Sequence, residues 1–301
     1  MINEEQCVPG LFIKPDIFDG RMKYLTENGY NVISLEEAYI AATTNKIEDN
    51  SVVITIDDGF YSTYSEALPI LKKYNLPSTL YLTSYYFDRN CPIFTLAVNY
   101  MFWNSKKDKF DLSILDIDGL GIVHAGTTQC EESIVKISET GQAFKNNEGR
   151  INLLEKLGQA TGQPYQDINE SRILNLITEA ELKECIQHKM EIELHTHRHI
   201  FPLDPQEATA EIEKNKNRVN ALLKTPMSHF CYPSGDWSSD HWPILDQQNV
   251  KTSTTCDNGL VSSETPLHAW SRFLDSARIS KIEYESELSG FTECLRNMRG
   301  K

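Results

Sequence analysis

A chain of 301 residues, 40% hydrophobic and 24% charged, has the makeup of a soluble globular protein, long enough for one large α/β domain or two small ones. Its formal net charge of −14 argues against a nucleic-acid-binding surface and against broad attraction to anionic lipid; a neutral or cationic partner fits better. No stretch is long and apolar enough to span a bilayer, and no basic start followed by an apolar core marks a signal peptide, so the cytoplasm is the expected compartment. Seven cysteines without paired spacing, one of them necessarily unpaired, suit a reducing compartment, and the absence of a Cys-x-x-Cys pair argues against a structural zinc site.

In chain order, Pro15 to Asn28 predicts a helix with Phe18, Met22 and Leu25 on one face and Gly29 as its stop. A short strand precedes Ser34, which forms a capping box with Glu37 for the next helix. Ser51 to Ile56 reads as one β-branched strand, Tyr64 to Tyr74 as a helix started or interrupted near Pro69, and Thr79 to Thr83 as another strand. From Ser84 to Ile173 the alternation is lost, which predicts a single domain carrying an insertion at about 85–172. Its aromatic residues Phe94, Tyr100, Phe102 and Trp103 form either a small satellite core or the lining of a sugar groove. A strand over Met190 to Leu194 follows. The spacing of Ala208, Ile212, Val219 and Leu222 predicts an amphipathic helix over Pro205 to Leu223, leading into a strand at Met227 to Cys231. Alternating strands and helices imply a parallel sheet or barrel.

Two short segments carry the chemistry. Thr55-Ile56-Asp57-Asp58-Gly59 and His195-Thr196-His197-Arg198-His199 each follow an apolar strand, where α/β folds keep their reactive loops. Asp-Asp-Gly alone is an ordinary turn, and a histidine cluster alone can be solvated surface. Together they complete a three-ligand divalent-metal set, Asp58, His195 and His199, in which the i, i+4 histidines grip one ion and His197 points elsewhere. Zinc is the expected ion, with cobalt, nickel or manganese as alternatives. Asp57 is left beside the metal as a second carboxylate able to act as general base.

These segments resemble the polysaccharide deacetylases, carbohydrate esterase family 4, also called the NodB homology domain. That family's pattern is Thr-Phe-Asp-Asp-Gly, then His-(Ser/Thr)-x-x-His, then Arg-x-Pro-(Tyr/Phe)-Gly. The third segment here is Phe230-Cys231-Tyr232-Pro233-Ser234-Gly235-Asp236-Trp237, which keeps the Pro-x-Gly turn but places Cys231 where the arginine would stand and Ser234 where the aromatic would stand. The resemblance implies a distorted (β/α) barrel, in which Ile173 to Lys189, with Leu174, Ile177, Leu182 and Ile186 apolar, looks like the family's helical approach to the strand carrying the histidines. A first strand ending in Tyr-His is not visible between Met1 and Pro9, so either the sequence starts after it or the barrel is incomplete. It implies that Tyr232, Pro233, Ser234, Gly235 and Trp237 meet the substrate, a backbone N–H between Tyr232 and Gly235 serving the oxyanion. The family's arginine orients its catalytic Asp; Trp270-Ser271-Arg272 resembles the late Leu-Pro-Arg segment of a subgroup, which nominates Arg272 as the partner of Asp57. The late histidine that serves as general acid is not evident, leaving His268 as a weaker candidate.

The expected activity is metal-dependent removal of acetyl groups, chiefly N-acetyl, from an amino-sugar saccharide or its precursor. Two rivals stay open at this level: a saccharide-binding protein that kept the fold and lost the reaction, and a hydrolase of a non-sugar amide using the same metal chemistry.

Overall fold

The computed structural model describes residues 4–298 except 9, 88, 90 and 145. The chain divides into two compact units, one of Met1–Val8 with Arg89–Leu176 and one of Pro9–Asp88 with Ile177–Lys301. Among the described residues no helix is long and apolar enough to cross a membrane.

The larger unit is built on five parallel strands, β1 Thr55–Asp58, β2 Ser78–Leu82, β3 Met190–Leu194, β4 His229–Cys231 and β5 Thr252–Thr254, hydrogen-bonded in that order. The sheet is curled into a half-barrel with helices between its strands. All five residues of β2 are buried, as expected of a central strand covered on both faces. The helices of this unit bury narrow apolar stripes. Pro15–Glu27 contributes Met22 and Leu25, and the Pro205–Val219 helix contributes Ala208, Ile212 and Val219. The Ser34–Glu37 capping box is present in full, and Gly29 takes the left-handed conformation after the Pro15–Glu27 helix.

Two expectations are corrected. The predicted strand at Ser51 to Ile56 is two elements: Ser51–Val52 pairs with Asn31–Val32, whereas Thr55–Asp58 pairs with β2. The run of β-branched residues encodes extended backbone but not the change of partner midway. The predicted helix over Ile173 to Lys189 is confined to Glu179–Gln187, because Thr178 and Glu181 form a capping box that starts it there. Leu174 upstream has φ 60°, outside any right-handed helix, although its apolar neighbours mimic helical spacing. The Tyr64 to Tyr74 segment is a π-helical turn, Thr63–Ala67, running into an α-helix at Leu68–Tyr74, with Pro69 in its first turn.

The smaller unit packs helices Phe94–Trp103, Thr128–Ala143, Asn147–Thr161 and Tyr165–Ser171 with a two-stranded antiparallel pair, Lys109–Asp111 and Ile122–His124. Phe94, Tyr100 and Phe102 are buried there and Trp103 is exposed, so three of the four aromatic residues form a core of their own.

Candidate active site at the carboxyl ends of the strands

β1 delivers Asp57 and Asp58 at its last two positions, and Gly59 turns the chain with φ 88°. A Cβ at Gly59 would stand 2.4 Å from Leu82 Cδ1, so both the turn and the space require glycine. The loop after β3 delivers His195 and His199. Asp58, Thr196 and His199 all adopt positive φ, 67°, 63° and 60°. For a β-branched threonine this is a genuine outlier, and such strain concentrates at sites where the surroundings dictate the backbone.

Three ligand atoms converge. His195 Nε2 lies 3.3 Å and His199 Nε2 3.2 Å from the same Asp58 oxygen, Oδ1. One potential ligand atom from each of the three residues lies within 4.8 Å of the others. Asp58 Oδ1 is buried and finds no hydrogen-bond partner, an orphaned carboxylate oxygen facing two imidazoles. His195 Nδ1 lies 2.9 Å from the Cys231 carbonyl, which fixes Nδ1–H as the donor and turns Nε2 toward Asp58. Burial opposes charge on His195, yet Cys231 and Asp58 outweigh it and hold its pKa high; a bound cation would compete with that proton. Burial, helped by the charge on His195, lowers the pKa of His199 and favours its neutral, ligating form. A divalent ion fits this set by donor type, convergence and the orphaned oxygen. A second grouping, Asp57, His195 and Cys231, is also compact, but Asp57 and Cys231 there face a guanidinium, which opposes a cation.

That guanidinium belongs to Arg272. Its Nη1 donates to Asp57 Oδ1 at 2.8 Å and its Nη2 to Asp57 Oδ2 at 2.9 Å, a bidentate pair. Nε donates to the Thr255 carbonyl at 2.9 Å, and Nη2 lies 3.1 Å from Cys231 Sγ. Arg272 reaches this position because Trp270 forms a parallel bridge with Thr254 of β5, so the segment continues the sheet past its last strand. Its side chain then laces Thr255, beyond β5, to Thr55 and Asp57 of β1, drawing together the two edge strands of the curled sheet. Burial would raise the Asp57 pKa, but the charge and hydrogen bonds of Arg272 overcome it and bring it down to about 2.

Other nominated residues fall elsewhere. His197 turns away from the convergence, with Nδ1 2.9 Å from Ser84 Oγ. His268 is a correction: it is buried, with Nε2 3.0 Å from Asp246 Oδ1 and Nδ1 3.0 Å from Ser253 Oγ. Both nitrogens are engaged, so it has none to offer a leaving amine. Two of the expected oxyanion donors, the N–H groups of Tyr232 and Gly235, are corrected as well, and Ser234 keeps the N–H of that turn. Tyr232 N–H donates to the Thr254 carbonyl and Gly235 N–H to the Tyr232 carbonyl, while Pro233 has no N–H. Tyr232 is fully buried, its hydroxyl donating to the His268 carbonyl, and so supports the loop from beneath. Ser234 and Trp237 are exposed to the loop's outer side, and Trp237 Nε1 donates to Asp257 Oδ2 at 2.8 Å.

Sequence reasoning missed Glu211 and Asn215, two fully buried polar residues on the Pro205–Val219 helix that contact the histidine loop. The available signal was their position: both fall on the same stripe as Ala208, Ile212 and Val219, where an apolar residue is the rule.

Residues 44–253 match the family model described as polysaccharide deacetylase. The chain belongs to that family. It is 20% identical over 282 residues, 93% of this chain and 70% of the relative, to YxkH of Bacillus subtilis (strain 168), which carries the polysaccharide deacetylase name. Among solved structures, the deacetylase PplD of Streptococcus pyogenes, in complex with acetate, superposes with a TM-score of 0.63 at 20% identity, covering 96% of this chain and 92% of that one. A de-N-acetylase from Aggregatibacter actinomycetemcomitans gives 0.56 at 13% identity, over 91% and 88% of the two chains. These likenesses show the polysaccharide deacetylase fold, and the family makes the chain a hydrolase of the deacetylase class.

Proposed function

We propose that this deacetylase depends on one divalent metal ion and hydrolyses N-acetyl groups on an amino-sugar saccharide. The observation that carries the reading is the convergence of Asp58, His195 and His199 beside an Asp57 clamped by Arg272. Asp58, His195 and His199 would hold the cation, which would supply Lewis-acid polarisation and a more acidic water. Asp57 is the group placed to take a proton from a water attacking the acetyl carbonyl carbon; its lowered pKa keeps it ionised and ready. Arg272 fixes the carboxylate plane, so that the free lone pairs of Asp57 face the substrate rather than wander. When the C–N bond breaks, the amine needs one proton and acetate departs. Asp57 returns the proton it accepted, because His268 has both nitrogens bound inside the protein.

The amino-sugar assignment draws on the family and on the exposed Trp237 of the third motif, whose ring offers apolar surface to a sugar and whose edge is pinned by Asp257. The net charge of −14 favours neutral or cationic glycans over anionic ones. The binding-only alternative rested on the altered third motif and the missing late histidine, and Arg272 on Asp57 answers the first of these. The test is acetate release from a panel of N- and O-acetylated oligosaccharides, with a simple acetamide for comparison. Release from the N-acetylated sugars ahead of the others is the expected result, and release from acetamide alone would reassign the substrate.

A further inference from the structure

The loop that carries both histidines is held from two sides. Toward β2, Tyr85 N–H donates to the His197 carbonyl at 2.7 Å and Thr83 Oγ1 donates to the same carbonyl at 3.0 Å. Toward the Pro205–Val219 helix, the contacts are made by two side chains one turn apart on its buried face. Asn215 Oδ1 accepts the His195 N–H at 3.2 Å while Asn215 Nδ2 donates to the Leu82 carbonyl at 2.9 Å. Glu211 Oε2 accepts the Arg198 N–H at 2.7 Å and Glu211 Oε1 accepts Arg198 Nε–H at 2.6 Å.

A fully buried carboxylate and amide are costly on a stripe that Ala208, Ile212 and Val219 fill with apolar groups. They are tolerable because each is saturated by donors and acceptors of the loop and of β2. What they secure is a backbone that would not hold itself: Thr196 and His199, on either side of the Arg198 amide, both sit at positive φ. The amides of His195 and Arg198 flank Thr196, so pinning both dictates the path between the two imidazoles. Without those anchors the loop is free to relax toward ordinary backbone geometry, and the two imidazoles no longer face one carboxylate oxygen.

Resting on the metal reading above, we infer that Glu211 and Asn215 are positioning residues, which set the metal affinity of the site through the loop backbone without touching metal or substrate. The decisive bond of Glu211 is the one to the Arg198 amide. The Arg198 side chain is half exposed and its ion pair is incidental.

The test is titration of the metal-free full chain with Co²⁺, read by visible absorption. Glu211→Leu and Asn215→Leu should each weaken cobalt affinity by about 10- to 100-fold, as loss of a group that orients ligands does. Glu211→Gln, which keeps an oxygen for the Arg198 amide, should recover to within about threefold of the parent, and Arg198→Ala should stay in the same range. Independently of any variant, the His195 and Arg198 amides of the parent should resist hydrogen exchange. Folded leucine variants with parental cobalt affinity, or amides that exchange as fast as exposed loops, would overturn the inference. A parent that takes up no cobalt would instead remove the metal reading itself, and this inference with it.

Discussion

Arg272 meets Asp57 through two parallel hydrogen bonds of 2.8 and 2.9 Å although 215 residues separate them in sequence. The arginine comes from the far side of β5 and the carboxylate from β1, so the pair exists only because the sheet curls. It occupies the role for which Cys231 is too short, and Cys231 Sγ instead fills the space beneath the guanidinium. Replacing Arg272 by Met should therefore lower kcat/KM by about 100-fold, the scale on which misplacement of a reacting group acts, while leaving the metal in place. Arg272→Lys should not restore it, because an ammonium cannot make the bidentate fork. Cys231→Ala should change turnover little and cost about 1 kcal/mol of stability as a small buried truncation. Steady-state kinetics with metal analysis on the same preparations checks all three, and an Arg272→Met enzyme of parental activity would contradict the pairing's importance.

The two neighbouring aspartates should separate cleanly. Asp57→Asn is expected to keep its metal and lose turnover by about 100-fold or more, as removal of a general base does. Asp58→Asn is expected to lose metal affinity first, because its Oδ1 is the atom both imidazoles face. Equilibrium dialysis against zinc distinguishes the cases; metal loss in the Asp57 variant with retention in the Asp58 variant would reverse the roles.

His268→Asn should leave the pH profile of kcat unchanged in shape, since both nitrogens of the imidazole are engaged, by Asp246 and Ser253. A lost basic limb in that variant would restore it as the proton donor.

Much of this candidate site was legible in the sequence because its proposed metal ligands come in two short runs after β-branched or apolar strands. Asp57, Asp58, His195 and His199 need only local spacing and a strand end to be nominated. Arg272 was nominated through likeness to a family segment; no local pattern around Trp270-Ser271-Arg272 foretells a bridge to Thr254. His268 misled for the opposite reason, since a histidine in a loop carries no mark of the Asp246 and Ser253 partners that bury it. Tyr232 and Gly235 misled as oxyanion donors because backbone pairing to Thr254 and within the turn is tertiary information. Among the elements, the start of the helix capped by Ser34 was legible to the residue, whereas apolar spacing upstream masked the Thr178 cap, and the division of Ser51 to Ile56 between two sheets depends on partners distant in sequence.

His229 supplies a pH dependence away from the site. Burial lowers its pKa to about 4, outweighing the opposing pull of Glu36, whose Oε2 lies 2.9 Å from Nε2. The folded state thus binds this proton less readily than the unfolded chain, whose histidine titrates near its ordinary value of about 6.5. The stability it contributes is complete above that value and is lost as pH falls from about 6.5 through about 4. Urea midpoints measured at pH 7 and pH 5 should therefore differ less in His229→Gln than in the parent. An equal or larger difference in the variant would assign the acid sensitivity to other groups.

The central claim is that Asp58, His195 and His199 hold the ion on which deacetylation depends. The most direct measurement is acetate release from an N-acetylated oligosaccharide by chelator-stripped protein, before and after adding back zinc or cobalt, in the parent and in the His195→Ala/His199→Ala double variant. Stripping should abolish release, and added metal should restore it in the parent and not in the double variant. Undiminished release by the stripped parent, or restoration in the double variant, would contradict the account.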